Sequence, residues 1–380
     1  MEQLSGLDAA FIHQDSSRTP MHISAALVYD CGTDGDGANS RAQLIELCRE
    51  RLHHLPLVRR RLRRIPMGVD APYWRELSRP DWPAHITETS QAEAGVAGWR
   101  QLQDTLAALH SQRMPLDRPL WQIHLINDLR DIPGLPAYCQ VLVLKIHHAA
   151  IDGIAMATVI NALHEPNADK LPAGASTSRP PSQWELWSRV NFNQLGRQLK
   201  LAETMGNLLP GFVRARQARR KFTDLPPVQS SGNRFNRRVR GGRHTGALLV
   251  PLARVTAVKR AVRRVTLNDI ALAIVSGALR EYLGQSGELP VRSLACGVPI
   301  NLRSPGDSPS EGNRIATMIV GLATNIKDPV ERLRAIHRYA VAGKKQINAL
   351  GTGTVMDISD SLAPGMLAEG IRTMAWACLL

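Results

Sequence analysis

The sequence predicts an α/β fold, and three observations favour it. Segments with helical and strand-like periodicity alternate in both halves of the chain, which is typical of sheets covered by helices. An apolar run ends at two histidines and is followed directly by a helical pattern, the kind of junction at which α/β folds place chemistry. A long stretch with a helical pattern separates the halves, as expected of a crossover between two domains.

Length and composition bound the class of protein. With 380 residues, 44% of them hydrophobic and 21% charged, the chain is long enough for two globular domains with sizeable cores. Its five cysteines form no CxxC pair, which favours neither a disulfide framework nor a zinc site and indicates a reducing, cytoplasmic compartment. No signal peptide and no apolar stretch of about 20 residues is visible, so any membrane contact is expected to be peripheral.

In the first half, strands are predicted over residues 21–30, 121–127 and 137–146, and helices over residues 40–55, 97–112 and 154–165. Asn39 or Ser40 is the expected N-cap of the first helix, because such side chains accept hydrogen bonds from the first helical turn. Only a short turn-like stretch separates the last two strands, so we expect them to be neighbours in one sheet.

In the second half, strands are predicted over residues 247–251, 292–299 and 316–324, and helices over residues 252–263, 268–282 and 329–348. A Pro-, Ser- and Gly-rich stretch at 166–181, a helical pattern over 183–222 and an Arg-rich stretch at 224–245 lie between the halves. We therefore predict domains over residues 1–165 and 246–380, joined by a linker and a basic helical crossover over residues 166–245.

The junction after the apolar run at residues 141–146 carries the most informative residues. The run has the length and composition of a buried strand, and His147, His148, Asp152 and Gly153 follow it. Histidine is the side chain best suited to proton transfer near neutral pH. Because neighbouring residues of a strand point to opposite faces, only one of the two histidines is expected to face a site.

These four residues form a pattern, His-His-x-x-x-Asp-Gly, that resembles the HHxxxDG motif of the CoA-dependent acyltransferase superfamily. Other landmarks narrow the resemblance to the bacterial wax ester synthase/diacylglycerol acyltransferase family. They are residues 1–11 and 19–23, Pro119-Leu120-Trp121, the pair Asn268-Asp269, residues 298–303 and Gly312-Asn313-Arg314. The landmarks occur in the family's order and cover the chain to about residue 345.

The resemblance implies two chloramphenicol-acetyltransferase-like α/β domains, joined by the helical crossover, with the catalytic histidine in a tunnel between them. It implies acyl-CoA as a co-substrate, diacylglycerol or a long-chain alcohol as the acceptor, and no cofactor or metal. The C-terminal segment usual in the family is not found in the sequence, so the second domain is expected to be incomplete.

The resemblance assigns the role of general base to His148. The alternation along the strand leaves His147 as a packing residue that orients its neighbour. Asp152 is expected to pair with Arg303 and so to lock the loop that carries His148, as the corresponding Asp does in the superfamily. Gly153 removes a side chain where substrate or backbone approaches closely.

Asn268 and Asp269 begin a predicted helix and allow two interpretations. Both residue types are favoured as helix N-caps. The resemblance places the pair near the tunnel, where Asn268 would donate a hydrogen bond to the developing oxyanion.

Two further features also have a structural and a functional interpretation. Trp121 is expected to pack the start of a strand, and the alternative is that it lines an acyl pocket. The basic cluster at residues 59–64 is expected to be a solvated helix end and loop, and the alternative is a contact with the 3′-phosphate of CoA.

The leading hypothesis is an acyl-CoA-dependent O-acyltransferase that makes triacylglycerol or wax ester. The alternatives are acylation of another lipid or polyketide hydroxyl by the same chemistry, and an inactive lipid-surface protein.

The formal net charge is +14, and residues 183–243 hold thirteen Lys/Arg against three Asp/Glu, a net +10. This segment indicates an anionic membrane or lipid-droplet surface as a partner. No recognition motif for nucleic acid accompanies the charge, so nucleic acid is not an expected partner.

Overall fold

A computed structural model describes residues 2–33, 35–65, 70–91, 93–151, 153–165, 196, 234–236, 242–301, 315–350, 362 and 365–370. The predicted linker at 166–181 and nearly all of the predicted crossover helix at 183–222 lie outside these residues.

The described residues form strands and helices that alternate in both halves, as the sequence predicts. The strands are β1 (Glu2–Gln3), β2 (His22–Asp30), β3 (Arg60–Arg63), β4 (Tyr73–Glu76), β5 (Ile86–Ser90), β6 (Trp121–Arg130), β7 (Tyr138–His147), β8 (Ala295–Asn301) and β9 (Ile315–Gly321). The α-helices are α1 (Gly6–Gln14), α2 (Arg41–Leu52), α3 (Pro56–Arg59), α4 (Trp82–His85), α5 (Gly95–Ser111), α6 (Gly153–His164), α7 (Leu252–Ala261), α8 (Leu267–Gln285) and α9 (Pro329–Leu350). Single 3-10 turns lie at His148–Ala150 and Arg234–Asn236, and residues 365–370 are helical.

The main sheet has the strand order β2-β7-β6-β5. β7 pairs antiparallel with both β2 and β6, and β5 runs parallel to β6. The expectation that residues 121–127 and 137–146 form neighbouring strands is therefore confirmed. Apart from Tyr138, every residue of β7 is buried, because the strand is paired along both edges and covered on both faces.

Alternation along β7 divides its side chains between two helical layers. Leu142, Leu144 and Ile146 pack into one hydrophobic cluster with residues of α2 and α6. Val141 and Val143 face the other way, into a cluster that includes residues of α5. The continuous apolar run of this strand thus follows from burial on both faces.

A small antiparallel sheet with the order β1-β4-β3 holds the start of the chain. Leu4, Ala9, Leu62, Leu120 and Ala149 belong to one buried cluster, which joins this sheet and α1 to the 3-10 turn that follows β7. The N-terminal helix is thereby packed against the turn that carries the second histidine.

In the second half, β8 and β9 form an antiparallel pair, and α8 and α9 pack with it. The strand predicted over 247–251 is wrong, because residues 242–251 have no regular secondary structure. Thr245 instead donates a side-chain hydrogen bond to the backbone O of Gln103 at 2.6 Å, and Leu248 is 75% exposed. A strand requires backbone partners, and the described residues supply none to this segment.

Two further predictions need correction. The helix predicted over 40–55 is capped by Ser40 as expected, but it ends at Leu52, because Pro56 starts a new helix and forces Leu55 into an extended conformation. The basic cluster at 59–64 was expected to be a helix end and loop, but Arg60–Arg63 is strand β3, paired with β4.

Among the described residues, no helix has both the length and the apolar character needed to cross a bilayer.

We predict that Gly98→Ala destabilises the fold. A Cβ at Gly98, near the start of α5, would lie 2.4 Å from the backbone O of Glu93. Relieving this clash should lower the free energy of unfolding by about 1–3 kcal/mol, measured by urea denaturation. Gly284→Ala, in α8, where the added Cβ would have no atom within 4 Å beyond its chain neighbours and the backbone of its own helix, is the matched control and should be neutral or stabilising by up to about 1 kcal/mol. Equal stability of the two variants would contradict the close approach at Gly98.

Candidate active site

The two histidines occupy the end of β7 and the turn that follows it. His147 is the last residue of the strand, and its backbone N–H donates to the backbone O of Leu120 at 3.0 Å. His148 begins the 3-10 turn, and its backbone N–H donates to the backbone O of Met21 at 2.9 Å. The backbone of both residues is therefore fixed by neighbouring chain segments on opposite sides of β7.

The ring of His147 is fully buried and neutral. Its Nδ1 accepts a hydrogen bond from the backbone N–H of Ala149 at 3.1 Å, so the proton of the neutral ring lies on Nε2. Among the described residues Nε2 has no hydrogen-bond partner. Burial lowers the pKa of His147 to about 4. His147 is thus a buried residue that contacts the turn, and its predicted role in orienting His148 stays a prediction.

The ring of His148 is partly exposed and lies against an aromatic side chain. The Phe11 and His148 rings stack with their centroids 5.1 Å apart and their planes 24° from parallel. Burial lowers the pKa of His148 from its ordinary value of 6.5. At neutral pH the imidazole is therefore uncharged, which is the form that accepts a proton.

Phe11 is a site residue for which the sequence analysis assigned no role. It lies on α1, where the Ser5 side chain caps the helix by accepting the backbone N–H of Asp8 at 3.1 Å. Ala9 is fully buried in the cluster that contains Ala149, so its small side chain lets the helix approach the turn closely. The sequence contained a reason to select Phe11, because this residue belongs to the N-terminal segment that carries the family resemblance.

The sheet face beneath His147 is polar and buried. Lys145 Nζ donates to the backbone O of Leu109 at 2.7 Å and also to the backbone O of Gln112. The ring of His22 donates from Nε2 to the backbone O of His110 at 2.7 Å. Burial lowers the pKa of Lys145 to about 8 and that of His22 to about 4. These side chains satisfy the carbonyl groups at the C-terminus of α5, which otherwise have no partners in a helix.

The predicted ion pair that would lock the loop cannot be placed. Asp152 and Arg303 both lie outside the described residues, so their pairing stays a prediction. Gly153 is the first residue of α6, at the start of a helix as the sequence suggested.

The structure corrects the capping role of Asn268 and Asp269. The N-cap of α8 is Thr266, whose side chain accepts the backbone N–H of Asp269 at 3.2 Å. Asp269 completes a capping box by accepting the backbone N–H of Thr266 at 2.7 Å, and it also contacts His337 Nδ1 at 2.9 Å. Asn268 is exposed. Asp269 therefore has a structural role through its Oδ2, whereas a role for Asn268 at the oxyanion stays a prediction.

Trp121 has the structural role that the sequence favoured. It is 1% exposed, and its ring stacks on that of His85 with the ring centroids 4.4 Å apart. Its Nε1–H donates to the backbone O of Val58 at 3.5 Å. These contacts fix the start of β6.

Comparison with known proteins adds a family. The family model for the wax ester synthase/diacylglycerol acyltransferase catalytic domain matches residues 4–271, and the model for the WS/DGAT C-terminal domain matches residues 311–377. A C-terminal domain match is thus present in the chain, where the sequence analysis expected an incomplete domain.

Individual relatives and structures agree with these matches. A protein of Mycobacterium tuberculosis (strain H37Rv), provisionally named a diacylglycerol O-acyltransferase, is 30% identical over 391 residues, covering 98% of this chain and 79% of that protein. A second protein of that strain with the same provisional name is 29% identical over 360 residues, covering 94% and 77%.

Among solved structures, a wax ester synthase/diacylglycerol acyltransferase from Marinobacter aquaeolei VT8 matches with a TM-score of 0.62 at 21% identity, covering 100% of this chain and 80% of that chain. The first condensation domain of the calcium-dependent antibiotic synthetase matches with a TM-score of 0.51 at 14% identity, covering 95% and 78%. At these identities the likeness concerns the fold, and the predicted α/β fold is confirmed.

We expect the two histidines to titrate below the ordinary histidine range, because burial lowers both pKa values. In an NMR titration assigned with His147→Gln and His148→Gln, the midpoint of His148 should lie below pH 6.5 and that of His147 near pH 4. A midpoint for His148 at or above pH 6.5 would contradict the burial of its ring.

Proposed function

The chain belongs to the wax ester synthase/diacylglycerol acyltransferase family, and from this premise we propose that it transfers a fatty acyl group from acyl-CoA to the hydroxyl of diacylglycerol or a long-chain alcohol. The observation that carries the proposal is the position of the His148 ring, held at a strand end against the ring of Phe11. The names of the relatives support acyl transfer to diacylglycerol.

In the proposed mechanism His148 acts as the general base. The acceptor oxygen attacks the thioester carbonyl carbon while the imidazole takes the hydroxyl proton. The tetrahedral intermediate then breaks its C–S bond, and the imidazolium returns the proton to the leaving thiolate of CoA. General acid–base help of this kind typically accelerates a reaction by about 10²–10⁴-fold. The route uses a side chain of the protein and two substrates, and it requires no cofactor or metal.

Other residues of the motif support this route in the proposal. Asp152 and Arg303 would hold the turn as an ion pair, and Gly153 would allow close approach at the start of α6. Asn268, exposed at the start of α8, would donate to the oxyanion. The same chemistry would also acylate another lipid or a polyketide hydroxyl. A screen of acceptors with one acyl-CoA therefore identifies the acceptor class.

We predict that His148→Ala lowers turnover to less than about a tenth of the wild-type value, because the proton acceptor is lost. Turnover is measured as CoA release from palmitoyl-CoA in the presence of dioleoylglycerol. His147→Ala should lose less activity, since His147 acts on the turn and not on the substrate.

The control for this comparison is His244→Ala, which changes an exposed histidine and should retain full turnover. Full turnover in His148→Ala would overturn the proposed function. If His147→Ala loses more turnover than His148→Ala, the proposal has assigned the general base to the wrong histidine.

The proposed substrates are insoluble, so we also propose that the enzyme meets them at an anionic membrane or lipid-inclusion surface. The +10 net charge of residues 183–243 supports this. Sedimentation with anionic vesicles should show binding that weakens with salt and falls when Arg214, Arg216, Arg219 and Arg220 become Gln.

The matched control removes four positive charges from an exposed segment that lies outside residues 183–243. Its substitutions to Gln are at Lys259, Arg260, Arg263 and Arg264. It should retain more vesicle binding than the first variant. Equal loss in both variants would show that total charge, and not this segment, drives the association.

A further inference from the structure

Asp15 connects the chain segments that contact His148, and the sequence analysis gave it no role. It is the C-cap residue of α1, and its side chain is 1% exposed. Its Oδ1 accepts the backbone N–H of Met21 at 2.9 Å. Its Oδ2 accepts from Arg113, at 3.0 Å from Nε and 2.6 Å from Nη2. Both carboxylate oxygens therefore have a partner.

Asp15 is hydrogen-bonded to two residues that contact His148. Met21 accepts the backbone N–H of His148 at 2.9 Å through its backbone O. Phe11, whose ring stacks on that of His148, accepts the backbone N–H of Asp15 at 3.1 Å. The Asp15 carboxylate thus holds the residue that makes the backbone contact of His148, and the Asp15 backbone N–H continues the helix that carries Phe11.

Arg113 makes this arrangement electrostatically possible. A buried carboxylate is costly unless it is paired and hydrogen-bonded. Arg113 follows the end of α5, and its Nη2 also donates to the backbone O of Asp15 at 3.1 Å. The planar guanidinium restricts the direction of the carboxylate, which a single-point ammonium contact does not do.

We propose that Asp15 and Arg113 are a positioning pair for the general base. They act through Met21, whose backbone O accepts the backbone N–H of His148, to fix the position of His148, and they do not touch the substrate. This inference rests on the proposed function, because it requires His148 to act in acyl transfer.

A purely structural pair gives a different result from a positioning pair. If the pair only stabilised the fold, its loss would lower the melting temperature and leave the kcat of the folded protein unchanged. If it positions the base, kcat falls in protein that is still folded, while KM for acyl-CoA stays within about twofold. Small displacements of a catalytic group typically reduce rate by up to about 10²-fold.

The first experiment compares kcat and KM for palmitoyl-CoA at a temperature at which every variant is folded by circular dichroism. Asp15→Asn retains an acceptor for Met21 but loses the charge, and kcat should fall about 10–100-fold. Arg113→Lys should recover part of the kcat that Arg113→Gln loses. Arg118→Gln is the control, since Arg118 is half-exposed and its Nε lies 3.7 Å from Oδ1 of the exposed Asp117.

The second experiment places the same substitution in the His148→Ala background. If Asp15 acts through His148, the double variant should have the same residual turnover as His148→Ala, within about twofold. If Asp15→Asn does not fold, Arg113→Lys takes its place in both backgrounds.

The outcomes separate the two proposals. An equal fold-loss in both backgrounds, or a raised KM with unchanged kcat, overturns the positioning role and leaves the function of His148 intact. Full turnover in His148→Ala overturns the proposed function and the positioning role with it.

Discussion

The burial of β7 on both faces is the constraint on which the rest of the structure depends. The strand is paired along both edges, packs with α2 and α6 on one side and with α5 on the other, and ends at His147. A strand so enclosed has little freedom to shift, because a slip of one residue would move every side chain to the opposite layer. The position of the turn that follows it is therefore set by the core of the domain.

Burial also determines the protonation of the site. Both histidines are withdrawn from water far enough to favour the uncharged ring, which lowers their pKa values. The charged groups near the histidines have specific partners. Lys145 donates to carbonyl groups at the end of α5, and Asp15 accepts from Arg113. The two imidazole rings thus lie near charged groups that are compensated by specific partners.

Particular elements show which strands and helices the sequence patterns predicted correctly. The strand at 137–146 and the helix at 154–165 were placed closely, because a continuous apolar run and a helical repeat both follow directly from burial. The strand at 247–251 was wrong, since its apolar residues are exposed and no described strand pairs with it. Hydrophobicity alone does not reveal whether a backbone partner exists, and the same limit applies to Arg60–Arg63, a charged segment that pairs as a strand.

The sequence by itself determined the α/β class, the two histidines and the family resemblance, because motif and periodicity are local properties of the chain. It left Asn268 and Asp269 ambiguous, and the structure showed that Thr266 caps α8 through a local capping box, whereas the contact of Asp269 with His337 was decided by tertiary packing. The contacts of His148 with Phe11 and Met21, and the link through Asp15 to Arg113, were decided by tertiary structure. They join residues separated by about a hundred positions or more, and no local pattern carries information about such distant partners.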